Sequence, residues 1–251
     1  MLLHAGHGAL ILKLVFPRAT AGRRRELVGW WSAKLVRIAG VATRVEGTPP
    51  AAGEVGAMIA ANHVSWLDIF VVSGIVSTRF IAKSEIRDWP LAGWIAERAG
   101  TLFIRRERRR DTVRMAEAVH AALAQGDCVG LFPEGATTDG DTLLRFHTSL
   151  FEPAVANRAH VHPCALRYEH ADGTLCRAAA YVGELSFVQS MALVLRQRGV
   201  VAHVRFAPAV QTAERSRREV AAEAQERIAS LLALPPDKRP RTPADRPAGP
   251  R

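Results

Sequence analysis

No stretch of this chain reaches the roughly 18–20 consecutive apolar residues that a bilayer-spanning helix needs. The early apolar run Gly8 to Phe16 is short and is interrupted by Lys13. Pro17-Arg18 follows it, where a secretory signal would carry a small-residue cleavage site, so neither a span nor a signal peptide is expected. Cysteine is scarce: Cys128, Cys164 and Cys176 are odd in number and widely spaced, which excludes a disulfide framework and a C-x-x-C metal site. They read as small core residues in a reducing compartment. The G-x-S-x-G elbow of serine hydrolases is absent, and so are internal repeats. Acid is in short supply, with 24 Asp and Glu against 34 Lys and Arg, a formal net charge of +10. The arginines cluster at Arg23 to Arg25, Arg105 to Arg110 and Arg215 to Arg218. Such an excess meets nucleic acid or an anionic membrane. Aromatic-bearing strands and a basic recognition helix are both missing, so nucleic acid is set aside in favour of an anionic lipid surface.

What is present begins at Asn62-His63-Val64-Ser65-Trp66-Leu67-Asp68. Ala57 to Ala61 reads as a short buried strand and Trp66 to Val72 as a helix start, so His63 falls on the turn and Asp68 one helical turn inside. A carboxylate there can accept from the ring, fix its tautomer and stabilise the imidazolium, which is how a general base is built. Ser65 and Asp68 also spell a capping box, Ser as N-cap and Asp at N3. Both readings are open at this point. A second element is Cys128 to Phe132, a buried-strand run opening into Pro133-Glu134-Gly135-Ala136-Thr137-Thr138, where glycine lets backbone N–H groups approach an anion. Between them Gly100-Thr101-Leu102-Phe103-Ile104 runs into the guanidiniums of Arg105 and Arg106.

These blocks together resemble the glycerolipid acyltransferases that include lysophosphatidate acyltransferase, whose motifs are N-H-x-S-x-x-D, G-x-x-F-I-x-R, F-P-E-G-T-R-S and a later V-x-P. Asn62, His63, Ser65 and Asp68 fill the first; Gly100, Phe103, Ile104 and Arg106 the second; Phe132, Pro133, Glu134 and Gly135 the third; Val161 and Pro163 the fourth. The resemblance covers residues 57–206. It implies transfer of a fatty acyl group from a thioester, on coenzyme A or acyl carrier protein, to the hydroxyl of a lysolipid, with no bound cofactor. His63 would be the base, Asp68 its partner, and Arg105, Arg106, Glu134, Gly135 and Thr137 would contact substrate. Backbone N–H groups around Glu134 and Gly135 would meet the oxyanion; Asn62, Ser65, Pro133 and Pro163 would give support. Ala136 and Thr137 stand where the family has Thr and Arg, and Thr137 cannot replace a bidentate guanidinium–phosphate contact. Lysophosphatidate is the first acceptor implied, giving phosphatidic acid. The loop is also close to a bacterial branch that includes lyso-ornithine lipid acyltransferases, whose acceptor carries an amino acid head group, with Arg145 as a further anion contact. The cytoplasmic face of the inner membrane is the implied location.

Strand and helix signals alternate, which predicts one α/β domain, a mainly parallel or mixed sheet flanked by helices, with amphipathic helices at the N-terminus. The expected division is 1–45, 46–232 and a Pro-rich, charged, disordered tail at 233–251. In the first part Leu27, Trp30, Trp31, Lys34, Leu35 and Ile38 recur at helical spacing, suiting either a headgroup layer or core packing. Further strands are expected at 79–83, 101–105, 161–168, 178–182 and 200–206, and helices at 111–125, 187–198 and 213–232. His120 reads as a packing residue and His147 as structural. His160 and His162 flank a strand end without ligand spacing, and no metal is expected. The rivals are a serine hydrolase or thioesterase using Ser65, and a lipid-binding protein without catalysis.

Overall fold

The structure, a computed structural model, describes residues 1–51, 54, 56–88, 92–104 and 109–234. Its frame is a seven-stranded sheet in the order β1-β7-β6-β2-β5-β3-β4. The strands are β1 Val41–Glu46, β2 Ala57–Ala61, β3 Thr78–Lys83, β4 Leu102–Ile104, β5 Cys128–Leu131, β6 His160–Glu169 and β7 Val200–Phe206. Neighbours are parallel except β6 and β7. Among the described residues eight α-helices accompany them: α1 Leu2–Leu10, α2 Ala21–Ile38, α3 Asp68–Ser73, α4 Ala92–Arg98, α5 Arg109–Ala124, α6 Glu152–Ala156, α7 Phe187–Leu195 and α8 Arg217–Leu231.

Strand β2 is buried on both faces, as an apolar run in a helix-covered parallel sheet should be. Its residues alternate between two cores. Ala57, Ile59 and Ala61 pack toward α2, α3 and α7, with Leu35, Val36, Val71, Val72 and Val194. Met58 and Ala60 pack toward α5, α6 and α8, with Val119, Leu123, Ala154, Val220, Ala224 and Ile228. This is a three-layer arrangement in which period-two strands feed two helix layers. Gly130 inside β5 has a steric reason: a Cβ there would lie 2.6 Å from both Phe80 Cε1 and Thr78 Cγ2. The missing side chain lets Phe80 lie across the strand, toward the site described below.

Several expectations change in detail. The boundary at 45/46 falls inside β1, which pairs with β7 along its full length; its charged, exposed edge gave no strand signal. The stretch 178–182 is no strand: Arg177–Ala179 forms a 3-10 turn, and Tyr181 N–H donates to the Val64 carbonyl at 2.8 Å. Helix α5 buries Val119, Ala122 and Leu123, whereas Val113 and His120 are exposed. In α2 the apolar face divides: Leu35 and Val36 are buried, Trp31 packs edge-on against Phe70 of α3 at 5.9 Å, and Trp30 and Ile38 remain at the surface. Helix α1 is held to α2 by His4, which stacks on Trp31 at 4.7 Å and accompanies a reciprocal pair of side-chain to backbone bonds. No helix among the described residues is long and apolar enough to cross a membrane.

Candidate active site

The carboxyl end of β2 leads straight into the His63 turn, the place where open parallel sheets expose functional loops. Asn62 fixes the exit: its Nδ2 donates to the Leu166 carbonyl at 3.0 Å and its Oδ1 accepts from Leu166 N–H at 2.7 Å, tying β2 to β6. Asp68 then folds back from the first turn of α3. Its Oδ2 lies 2.8 Å from His63 Nδ1 and accepts the backbone N–H groups of Val64 and Ser65 at 2.7 and 2.9 Å. Its Oδ1 accepts the Tyr168 hydroxyl at 2.7 Å. Asp68 is therefore fully buried with four donors around it, the condition under which a buried carboxylate is tolerated. The same Asp68 oxygen bonds the backbone of the turn before α3 and the His63 ring, so the capping and general-base expectations for Asp68 do not compete. Ser65 is not the N-cap of α3, which starts at Asp68 with Leu67 in that position; it is completely buried in the preceding turn, its Oγ accepting Leu67 N–H at 3.3 Å.

The imidazole is gripped on its face as well as its edge. His63 stacks on Phe132 with ring centroids 3.9 Å apart and planes 8° apart, and Phe132 stacks in turn on Phe80 at 5.1 Å. An aromatic face beneath the ring favours the imidazolium that forms when the base takes a proton. With Nδ1 committed to Asp68, Nε2 is the nitrogen left to act, and it has no hydrogen-bond partner among the described residues.

Glu134 sits differently from a substrate-binding carboxylate. It is buried, Oε1 accepts His63 N–H at 2.7 Å and Oε2 accepts Leu144 N–H at 2.7 Å. Burial raises its pKa to about 8; the two N–H bonds oppose the shift and the nearby charge of Asp68 adds to it. Its contribution is positional: it joins the His63 turn to the loop that carries Arg145, which is exposed. Gly135 adopts φ +76° and its N–H closes a turn onto the Phe132 carbonyl at 3.1 Å, so this candidate oxyanion donor already has a partner. Thr138 N–H donates to the His63 carbonyl at 2.8 Å, and Thr137 Oγ1 donates to the Tyr181 carbonyl. The Pro133 carbonyl accepts His147 N–H at 2.9 Å. Pro163 stands within β6 opposite Ala60, where β6 passes from β2 to β7 as partner. Arg105 and Arg106 lie outside the described residues.

Two features of the site carried no signal in the sequence reading. Tyr168, one hundred positions from Asp68, supplies its fourth donor. Burial and then the charge of Asp68 keep the phenol well above its ordinary range, so it stays protonated and donating. Phe80 backs the stacked rings from β3. The three cysteines are all buried and free; burial pushes Cys128 up to about 12 and raises Cys164 and Cys176 as well, so none is an activated nucleophile.

Known proteins resemble this chain in sequence and in fold. Residues 42–167 match the acyltransferase family model. The chain is 36% identical over 213 residues to the lyso-ornithine lipid O-acyltransferase of Pseudomonas aeruginosa, covering 83% of this chain and 79% of that protein. It is 44% identical over 126 residues to the 1-acyl-sn-glycerol-3-phosphate acyltransferase of Neisseria gonorrhoeae, covering 50% of this chain and 49% of that one. In fold it resembles the 1-acyl-sn-glycerophosphate acyltransferase PlsC of Thermotoga maritima, with a TM-score of 0.66 and 19% identity over 92% of this chain and 88% of the other. With its four motif blocks in order, its sheet-end His–Asp pair and these matches, the chain belongs to the acyltransferase family.

Proposed function

We propose that the chain transfers a fatty acyl group from a thioester, on coenzyme A or acyl carrier protein, to the hydroxyl of a lysolipid, and that lyso-ornithine lipid is the acceptor. The observation that carries the chemistry is the His63–Asp68 contact, with Nδ1 held at 2.8 Å by a carboxylate that is itself fully bonded. The acceptor hydroxyl oxygen attacks the thioester carbonyl carbon while His63 Nε2 takes its proton. The carbon–sulfur bond then breaks, and the proton passes from the imidazolium to the departing thiolate. A positioned base of this kind contributes about 10²–10⁴ in rate. Attack is direct: Ser65 is enclosed and its Oγ is bonded within the turn, which speaks against a serine acyl-enzyme.

The acceptor assignment reverses the order that the motifs first suggest. Thr137 occupies the place of the family's phosphate-holding arginine. Charges of both signs meet beside that loop, since Arg177, from the 3-10 turn after β6, pairs with Asp141 at 2.5 Å and lies 3.7 Å from Asp139. A rim of this kind suits a head group bearing both ammonium and carboxylate better than a phosphate. Relatives matched over most of the chain include lyso-ornithine lipid O-acyltransferases, which points the same way. Lysophosphatidate stays as the second reading, on the higher identity of the shorter match.

The acceptor reaches the site from an anionic bilayer surface, at the cytoplasmic face of the inner membrane. Supporting this, the N-terminal elements expose Leu3, Leu10, Leu14, Val15, Trp30 and Ile38. Basic side chains accompany them: Lys34 lies 5.0 Å over the Trp30 ring and Arg24 6.0 Å over Phe16. Apolar and aromatic groups flanked by cations fit an in-plane anchor. The test is incubation of purified protein with labelled acyl-CoA or acyl carrier protein and a panel of lysolipids on vesicles. Acylation of lyso-ornithine lipid is expected; preference for lysophosphatidate would refute the acceptor, and no acylated lipid from any acceptor would refute the reading itself.

A further inference from the structure

At the opposite end of the sheet the two histidines that the sequence reading set aside converge on a third residue. His160 and His162 stand two apart on β6, so both project from one face of the strand. Glu54, from the connection between β1 and β2, meets them there. Its Oε1 lies 3.3 Å from His160 Nδ1 and 3.0 Å from His162 Nε2, and the three ligand atoms all fall within 4.8 Å of one another. A positive φ of +71° at Gly56 turns the chain back, and the Gly56 carbonyl accepts His160 N–H at 3.0 Å, which docks the connection on β6.

The spacing has a chemical meaning. A tetrahedral zinc ion with bonds of about 2.0–2.1 Å holds its ligand atoms about 3.3–3.4 Å apart. The two contacts to Glu54 are already within a few tenths of an ångström of that edge length. Two imidazoles and one carboxylate form a donor set for a borderline transition metal, whereas calcium and magnesium take shells of oxygen. The cluster also has a floor and a mouth: the His162 side chain is 8% exposed, Glu54 23% and His160 43%. Water can therefore reach a fourth position from the His160 side.

We propose that Glu54, His160 and His162 bind a divalent transition-metal ion of the zinc type, which clasps the β1–β2 connection to β6. The site is structural. His160 pairs with Ala57, the first residue of β2, while His63 follows Ala61, the last. Five residues at about 3.3 Å each place the two centres at opposite ends of the strand, so the ion takes no part in acyl transfer.

The experiment uses the untagged full chain, stripped with a chelator and then titrated with Zn²⁺ against a chromophoric competitor, with Mg²⁺ as control. One Zn²⁺ per chain is expected, together with a rise in Tm on loading that Mg²⁺ does not give. Glu54→Gln, which keeps a hydrogen-bonding side chain of the same size, should weaken binding at least tenfold and abolish the rise in Tm. His160→Ala, at a half-exposed position, should do the same. Cobalt loading should give the intense visible absorption of a tetrahedral site in the wild type and not in either variant. Acyl transfer by stripped and loaded protein should match. Absence of saturable binding overturns the proposal, and so does equal binding by wild type and both variants, which would place the ion on other histidines.

Discussion

Replacing Asp68 by asparagine removes one charge while conserving shape. The side chain receives three N–H donors on one oxygen and the Tyr168 hydroxyl on the other. An asparagine with its carbonyl toward His63, Val64 and Ser65 keeps all three N–H bonds. Its amide group then faces Tyr168, whose hydroxyl turns from donor to acceptor. The fold should survive with a loss of about 1–3 kcal/mol, because bonds to a charged acceptor are roughly twice as strong as neutral ones. Catalysis should suffer more. At an effective dielectric of about 20, unit charges about 4 Å apart interact by about 4 kcal/mol, or roughly 10³ in rate. The His63 side chain is 20% exposed, so part of that is screened. A fall in kcat/KM of about 10²–10³ is therefore expected, with the tautomer preserved. The assay is transfer of labelled acyl chains to lyso-ornithine lipid, with Tm measured in parallel. A folded Asp68→Asn protein with activity within about threefold of wild type would refute the reasoning that the carboxylate's charge stabilises the imidazolium.

Three further outcomes follow from the same site. Glu134 titrates at about 8 in the fold against an ordinary 4.5; its protonated form is favoured, so its contribution to stability is full below about pH 4.5 and is lost as pH rises through about 8. Thermal melts from pH 6 to 9 should show wild type losing up to a few kcal/mol that Glu134→Gln does not lose, and parallel curves would contradict this. Thr137→Arg should shift the ratio of kcat/KM toward lysophosphatidate by at least tenfold, the scale of one charge-assisted phosphate contact of about 1.5–3 kcal/mol, and an unchanged ratio would remove Thr137 from acceptor choice. Ser65→Ala should cost about 0.5–1.5 kcal/mol in stability as a lost turn hydrogen bond and leave turnover near wild type, whereas a loss of activity equal to that of a His63 variant would revive the hydrolase reading.

The sequence was most informative where a single local rule decides the structure. The run Ala57–Ala61 is short, apolar and followed by polar punctuation, and it is the central buried strand with the bounds it was given. The pairing of His63 with Asp68 was readable because both lie within one turn of chain. What could not be read depended on contacts between distant segments. Tyr168 completes the Asp68 shell across 100 residues, and Glu54 meets His160 and His162 across more than 100. The alternate spacing of His160 and His162 on an apolar strand was the available signal for the second cluster, yet the third ligand comes from a connection with no periodicity. The sequence puts Glu134 on the loop after β5, but only the fold shows its carboxylate turned inward onto two backbone N–H groups. Strand β1 escaped notice because an edge strand with exposed charges lacks the clean alternation of a half-buried one. The segment 178–182 misleads for the opposite reason: it is apolar and buried at Ala179 and Ala180, yet its backbone bonds to the His63 turn instead of a neighbouring strand.

In the proposed reaction His63 takes the proton of a lysolipid hydroxyl as that oxygen attacks an acyl thioester. The most direct test of this step is the single-turnover rate of His63→Ala with labelled acyl thioester and lyso-ornithine lipid, measured beside vesicle binding and Tm. The acylation rate should drop by about 10²–10⁴ while vesicle binding and folding stay intact. A folded, vesicle-bound His63→Ala protein that acylates at the wild-type rate would contradict it.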